Sequence, residues 1–137
     1  MIHYYGHSSK GLPMQIALTD RESDLMDVLW DRGPSTVAEV QDQLKDKLAY
    51  TTVLTILRNL EVKGYIGHET EGRAHRYLAL VERNAARRSA LKHLSNKLFK
   101  GSLEMLLLHA VSDHKLTDAE VKKIRRLLEQ RTPKGKS

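Results

Sequence analysis

Apolar residues along this chain recur mostly at helical spacing, with one short interval of strand-like alternation in the middle. Leu25, Val28 and Leu29, widened by Met26 and Trp30, predict an amphipathic helix over residues 20–30. Residues 31–34 (DRGP) end it, because Gly and Pro break helices and favour turns. Val37, Val40 and Leu44 predict a second helix over 37–44, and Val53, Ile56, Leu57 and Leu60 a third over 51–63, stopped by Gly64. Two strands are then expected at 65–70 and 74–80, joined by a turn at 71–73 that contains Gly72. Past residue 81 the helical period returns. One helix is predicted over 82–99 with Leu91, Leu94 and Leu98 on a stripe, and a second over 102–111 that is apolar nearly all round. A third over 118–130 aligns Val121, Ile124, Leu127 and Leu128.

Three of these helices announce their starts by one device. Thr19 with Glu22, Thr36 with Glu39 and Thr117 with Glu120 each fit a capping box, in which the Thr hydroxyl accepts from an amide one turn on and the Glu reaches back to the cap. Leu116 and Val121 stand where a hydrophobic staple would form at the third. Three short helices followed by a β-hairpin is the order of a winged helix, with the second and third as a helix-turn-helix pair. The expected fold is therefore mainly α with a small β-hairpin: a flexible tail at 1–15, a winged-helix domain at 16–81, a helical dimerisation segment at 82–131 and a flexible tail at 132–137.

The third helix carries the candidate chemistry. With its apolar side turned to a core, Thr51, Thr52, Thr55, Arg58 and Asn59 lie opposite. Arg can fork onto guanine, Asn onto adenine, and Thr can meet a base, a phosphate or a thymine methyl. A polar helix face is ordinarily only solvated; here its place on the second helix of the pair, just ahead of a wing, favours a major-groove reader. The amides at 50–52 could hold a phosphate. Arg73 at the hairpin tip and Arg76 nearby suit a wing touching the DNA backbone.

Charge changes the picture. The chain has 137 residues and a formal net charge of +6, which favours polyanionic partners. Residues 1–81, however, hold 9 Lys/Arg against 11 Asp/Glu, a net of 9 − 11 = −2, and residues 82–137 hold 14 against 6, a net of +8. That imbalance keeps a rival open, a winged helix used for protein–protein contact. With no cysteine there is no disulfide framework or thiolate metal site, in keeping with a reducing cytoplasm. No run is long enough to span a bilayer, so no membrane insertion is expected. Residues 1–13 lack a signal-peptide layout. His3 and His7 lie in the expected tail, and His68 and His75, on opposite strands of the hairpin, could approach each other, but no Cys and no dense Asp/Glu partner completes a metal site, so no metal or cofactor is expected. Nothing resembles a nucleophile elbow, a phosphate loop or a zinc-protease helix, and no catalytic residue is assigned.

Residues 18–30 (LTDRESDLMDVLW), 49–60 (AYTTVLTILRNL), 63–66 (KGYI) and 72–77 (GRAHRY) together resemble the penicillinase-repressor (BlaI/MecI/CopY) family of bacterial winged-helix regulators, over about residues 16–131. The resemblance implies a repressor in a β-lactam or cell-wall stress response, a homodimer on a double-stranded DNA operator with dyad symmetry. Thr52 and Thr55 fall on its operator-contacting positions. It implies interlocked C-terminal helices, for which Leu91, Leu94, Leu98, Leu103, Leu106, Leu107, Val121, Ile124, Leu127 and Leu128 are the expected dimer residues. It also implies a membrane sensor-protease partner whose cleavage point aligns with His109 and Ala110. Leu54 and Asn59 stand where the family often has a basic residue, which implies a different base preference. The paired C-terminal cysteines of the copper-responsive branch are absent.

Overall fold

The structure, a computed structural model, describes residues 4–5 and 15–131. Its elements are β1 (Tyr4–Tyr5), α1 (Asp20–Arg32), α2 (Val37–Gln43), α3 (Tyr50–Val62), β2 (Ile66–Glu71), β3 (Ala74–Ala79), α4 (Arg83–Leu98), α5 (Leu103–Asp113) and α6 (Asp118–Arg131). Every predicted helix and both hairpin strands are present, with ends displaced by a residue or two. The chain divides into two units between His93 and Leu94.

In the first unit, α1, α2 and α3 close over one apolar core. Leu25, Met26 and Leu29 of α1, Val37 and Val40 of α2, and Val53, Leu57 and Leu60 of α3 meet Tyr65, Ile66 and Tyr77 of the sheet region. The start of α4 joins them: Val81 and Ala86 are buried in the same cluster. The Trp30 indole N–H donates to the Val81 carbonyl at 2.9 Å. The Arg83 guanidinium lies over the Trp30 ring, 5.2 Å from its centroid, and bonds Asp31 at 2.7 Å. These contacts fix the end of α1 to the start of α4, so the first turns of α4 belong with the winged-helix core.

The sheet has the order β1-β2-β3, antiparallel throughout. Two residues of the expected tail at 1–15 form its first strand. Tyr4 pairs with Glu69 and Tyr5 with His68. The edge of β2 away from β3 offers unpaired backbone groups, and a Tyr-Tyr pair has the β propensity to use them. Farther along, the Ile16 amide donates to the Ser89 hydroxyl at 2.8 Å and the Ala17 amide to the Tyr65 hydroxyl at 3.0 Å. The remainder of the expected tails, with His3 and His7, lies outside the described residues.

In the second unit, α4 ends in a Schellman-type stop. The Gly101 amide bonds the Ser95 carbonyl at 2.9 Å, with Lys100 at φ +50° and Gly101 at φ +83°. Ser102 then caps α5, its hydroxyl accepting from the Met105 amide at 3.2 Å. Thr117 and Glu120 close the expected capping box of α6, at 2.9 and 3.1 Å. The boxes at Thr19–Glu22 and Thr36–Glu39 are likewise complete.

Glu22 does more than cap α1. Its carboxylate accepts from the Thr19 amide at 2.9 Å and takes the Lys63 ammonium on both oxygens at 2.8 Å, joining the start of α1 to the end of α3. Burial pushes the Glu22 carboxyl up, but the bonds from Lys63 and Thr19 outweigh it and hold it below its ordinary value. A carboxylate depressed in the folded state contributes stability above its unfolded value, and that contribution is lost as pH falls through the folded value. Glu22→Gln should therefore lower stability to urea by about 1–2 kcal/mol at neutral pH, the range for hydrogen bonds to charged groups with a partly exposed partner. The gap to wild type should close as pH falls below the ordinary carboxylate range; a pH-independent gap would exclude ionisation as its source.

Candidate nucleic-acid interface

Val53, Leu57 and Leu60 are wholly buried, and their spacing commits α3 to one orientation. Thr51, Thr52, Thr55, Arg58 and Asn59 are all exposed on its other side, and Ile56 is only partly buried. The Thr55 hydroxyl donates back to the Thr51 carbonyl at 2.9 Å, so its oxygen can still accept a hydrogen bond. Unlike α1 and α2, α3 begins at Ala49 with no side-chain cap. The amides of its first turn thus have no side-chain acceptor, the condition under which a helix start binds a phosphate oxygen.

The hairpin places the wing beside this helix. Registers run from Ile66 opposite Ala79 to Glu71 opposite Ala74, so Gly72 and Arg73 alone form the turn. Gly72 has φ +64°, as the first central position of a tight two-residue hairpin turn requires. Arg73 is exposed at the tip, and among the described residues neither it nor Arg58 has an ion-pair partner.

Arg76 differs from the expectation of a free phosphate contact. Its guanidinium meets Glu39 of α2 at 3.0 Å and Glu71 of β2 at 3.4 Å. It sits one residue from Tyr77, whose backbone exchanges two hydrogen bonds with Ser35 at 2.8 and 2.9 Å. The same Glu39 bonds Arg32 at 2.8 Å. The Thr36 amide first, then the Arg32 guanidinium, with Arg76 adding, hold the Glu39 carboxyl down to about 2.

On the wing face toward α3, His68 and His75 stack with ring centroids 4.5 Å apart, and His68 pairs with Glu61 of α3. Tyr77 is buried beneath; burial and the Glu61 charge push its hydroxyl pKa up, against the nearby Arg58. The sequence marks Glu39 only as a cap and assigns no site role to Glu61 or Tyr77. The i to i+3 spacing from Thr36 showed only a cap at Glu39, and nothing local showed that Arg76 would reach it. Among the described residues no group of three or more His, Cys, Asp or Glu could hold a metal, and no helix is long and apolar enough to cross a membrane.

Of the expected dimer residues, Leu106 is buried and Val121 partly so. Leu91, Leu94, Leu98, Leu103, Leu107, Ile124, Leu127 and Leu128 are exposed, from 38% at Leu94 to 66% at Leu98. Met105, Leu108 and Val111 of α5 add to the exposed apolar surface. His109 and Ala110 lie inside α5, both exposed, with the His109 ring 5.5 Å from that of Phe99.

A sequence model of the penicillinase repressor family matches residues 18–130. The chain is similar to the methicillin resistance regulatory protein MecI of Staphylococcus aureus, 22% identical over 116 residues that cover 83% of this chain and 94% of that one. It is similar to the transcriptional regulator BlaI of Mycobacterium tuberculosis, 35% identical over 101 residues, with 59% of this chain and 73% of that one covered. A penicillinase repressor of Staphylococcus aureus is 22% identical over 116 residues, covering 83% of this chain and 92% of its own.

A Cβ built at Gly72 meets nothing within 4 Å, so its requirement for glycine is one of backbone conformation. Gly72→Ala should lower stability by about 1 kcal/mol, the cost of placing an L side chain at positive φ. Gly72→Asn should recover part of that loss, because Asn tolerates this region. Urea titration of the two variants checks the order; equal stability of Ala and Asn would refute the conformational account.

Proposed function

The chain belongs to the penicillinase repressor family, and from that premise we propose that it is a transcriptional repressor binding a dyad DNA operator as a homodimer, in a β-lactam or cell-wall stress response. The observation that carries the DNA reading is the exposed polar face of α3. It lies between an uncapped helix start and an exposed wing-tip arginine, with Arg58 and Arg73 uncommitted among the described residues. Arg58, Asn59, Thr52 and Thr55 meet base edges, and Thr51 with the α3 amides meets a phosphate. Arg73 contacts the backbone.

The exposed leucines of α4, α5 and α6 support the dimer. So many exposed leucines on three helices call for a partner to cover them, and a two-fold dimer would match a palindromic operator. Release by a sensor-protease at His109–Ala110 would require α5 to open locally, since both residues lie within the helix. An Ala in place of a large apolar residue on the carboxyl side would also give such a protease little to grip. A protease of different specificity, or release without cutting there, fits these residues better.

The test is selection of bound duplexes from random DNA by the full chain, followed by affinity and salt dependence on the selected site. Arg58→Ala should weaken binding and relax preference at one position per half-site, with about 1–3 kcal/mol of discrimination lost. Arg73→Ala should weaken binding to all sequences and flatten the salt dependence by roughly one unit of slope. Unchanged base preference in Arg58→Ala would remove Arg58 from the reading face.

Sedimentation should show a dimer at concentrations on the order of tens of micromolar, shifted toward monomer by Leu107→Glu. A wild-type monomer under those conditions would refute the dimer.

A further inference from the structure

We infer that Glu39 is a positioning residue of the wing: by holding Arg76 against α2, it sets where Arg73 stands relative to the reading helix. The inference rests on the DNA reading above.

Arg76 belongs to the outer strand of the hairpin, three residues beyond the tip arginine. Its guanidinium bridges Glu39, one turn into α2, and Glu71, the last residue of β2 before the turn. Beside it the Ser35–Tyr77 backbone bridge joins the same strand to the segment leading into α2. Ser35 is completely buried, and its hydroxyl donates to the Gly33 carbonyl at 2.8 Å. The strand is thus pinned at two consecutive residues, by side chains to α2 and by backbone to the segment leading into it. Glu39 is itself held from three directions, by the Thr36 amide at 2.9 Å, Arg32 at 2.8 Å and Arg76 at 3.0 Å. An acceptor so fixed leaves the Arg76 head little freedom. Past Arg76 toward the tip the described residues of the hairpin are joined by its own ladder and the His68–His75 stack, with β1 paired alongside β2 at Glu69 and His68.

The alternative role for Arg76, a direct phosphate contact, makes the opposite prediction for Glu39. If Arg76 were a phosphate ligand, Glu39 would compete with DNA for it, and neutralising Glu39 would tighten binding. If Glu39 positions the wing, neutralising it weakens binding even though a negative charge has been removed from a DNA-binding face. Gln is the useful substitution, because Gln also serves in a capping box and keeps the start of α2.

The experiment uses the full chain and the selected duplex, at a temperature where urea titration shows every variant folded. Glu39→Gln should bind roughly three- to tenfold more weakly, in the lower part of the range of coupling between contacting residues. Arg76→Lys should fall between wild type and Arg76→Ala, and Arg32→Gln, which leaves the Glu39–Arg76 pair in place, should bind like wild type. In the Glu39→Gln background Arg73→Ala should cost less than it does in wild type, while Arg58→Ala should cost the same; mere loss of stability would not separate the two arginines. In the free protein, amide exchange at Arg76 and at Tyr77, whose N–H donates to the Ser35 carbonyl, should speed up in Glu39→Gln. Tighter or unchanged binding of Glu39→Gln, an undiminished Arg73 effect, or unchanged amide exchange would each overturn the inference. Absence of any preferred sequence for the wild type would instead overturn the DNA reading, and the exchange measurement would still decide the role of Glu39 in the wing.

Discussion

Val53, Leu57 and Leu60 leave none of their surface to water, and the rest of the candidate site follows from that burial. Three residues at i, i+4 and i+7 fix the rotation of a helix about its axis, because any other rotation would expose at least one of them at a cost of roughly 1.5–3 kcal/mol each. With α3 so fixed, Thr55, Arg58 and Asn59 have no direction but outward. The same three residues are the floor on which α1, α2 and the sheet close. Function and stability therefore divide α3 by face, and substitutions on one side are expected to leave the other largely intact.

Electrostatics resolves the apparent conflict of a DNA reader with a net charge of −2 over residues 1–81. The acidic residues are largely committed within the fold. Asp27 and Asp31 face Arg83, Glu39 holds Arg32 and Arg76, and Glu22 holds Lys63. An ion pair has almost no field at the distance of a phosphate, whereas an uncommitted guanidinium keeps its full charge. On the proposed reading, a DNA duplex would meet the local surplus at Arg58 and Arg73, together with the open amides of α3. A count of charges along a chain says little about the field at a site when the pairing is uneven.

Legibility in the sequence follows the range of each interaction. Helix caps are local: Thr and Glu three residues apart satisfy each other whatever surrounds them, and all three predicted boxes are present. Helix faces are nearly as local, since a 3.6-residue period encodes the buried side, and the exposed residues of α3 were readable on that basis. The pairing of Arg76 with Glu39 spans 37 positions of sequence. A wing arginine close to a reading helix looks the same in sequence whether it faces DNA or a carboxylate. The pairing of Tyr4–Tyr5 with β2 was hidden for the same reason: two residues carry no period, and only the open edge of a strand far along the chain gives them a partner. The inclusion of Val81 and Ala86 in the first core likewise depends on Trp30, whose indole needed an acceptor that only the fold supplies.

The C-terminal helices present the converse problem, a pattern legible in sequence that one chain leaves unfinished. Periodicity predicted apolar faces on α5 and α6, and the helices form with those faces exposed. A helix of this length gains little from its own backbone bonds, and its stability ordinarily comes from packing its apolar face. The capping boxes and the Schellman stop fix where α5 and α6 begin and where α4 ends, but each such device contributes only about 1 kcal/mol, well below the entropy cost of ordering the segment. Burial of Leu98, Leu103, Leu107, Ile124, Leu127 and Leu128 would supply the missing term, and on the proposed reading a second copy of the chain would bring an equal set of leucines to them. Folding of this segment and association would then be one process. Any event that weakens association, whether a cut in α5 or a charge placed among these leucines, would act on operator occupancy without touching a residue of α3, because two half-sites bind cooperatively only while they are held together.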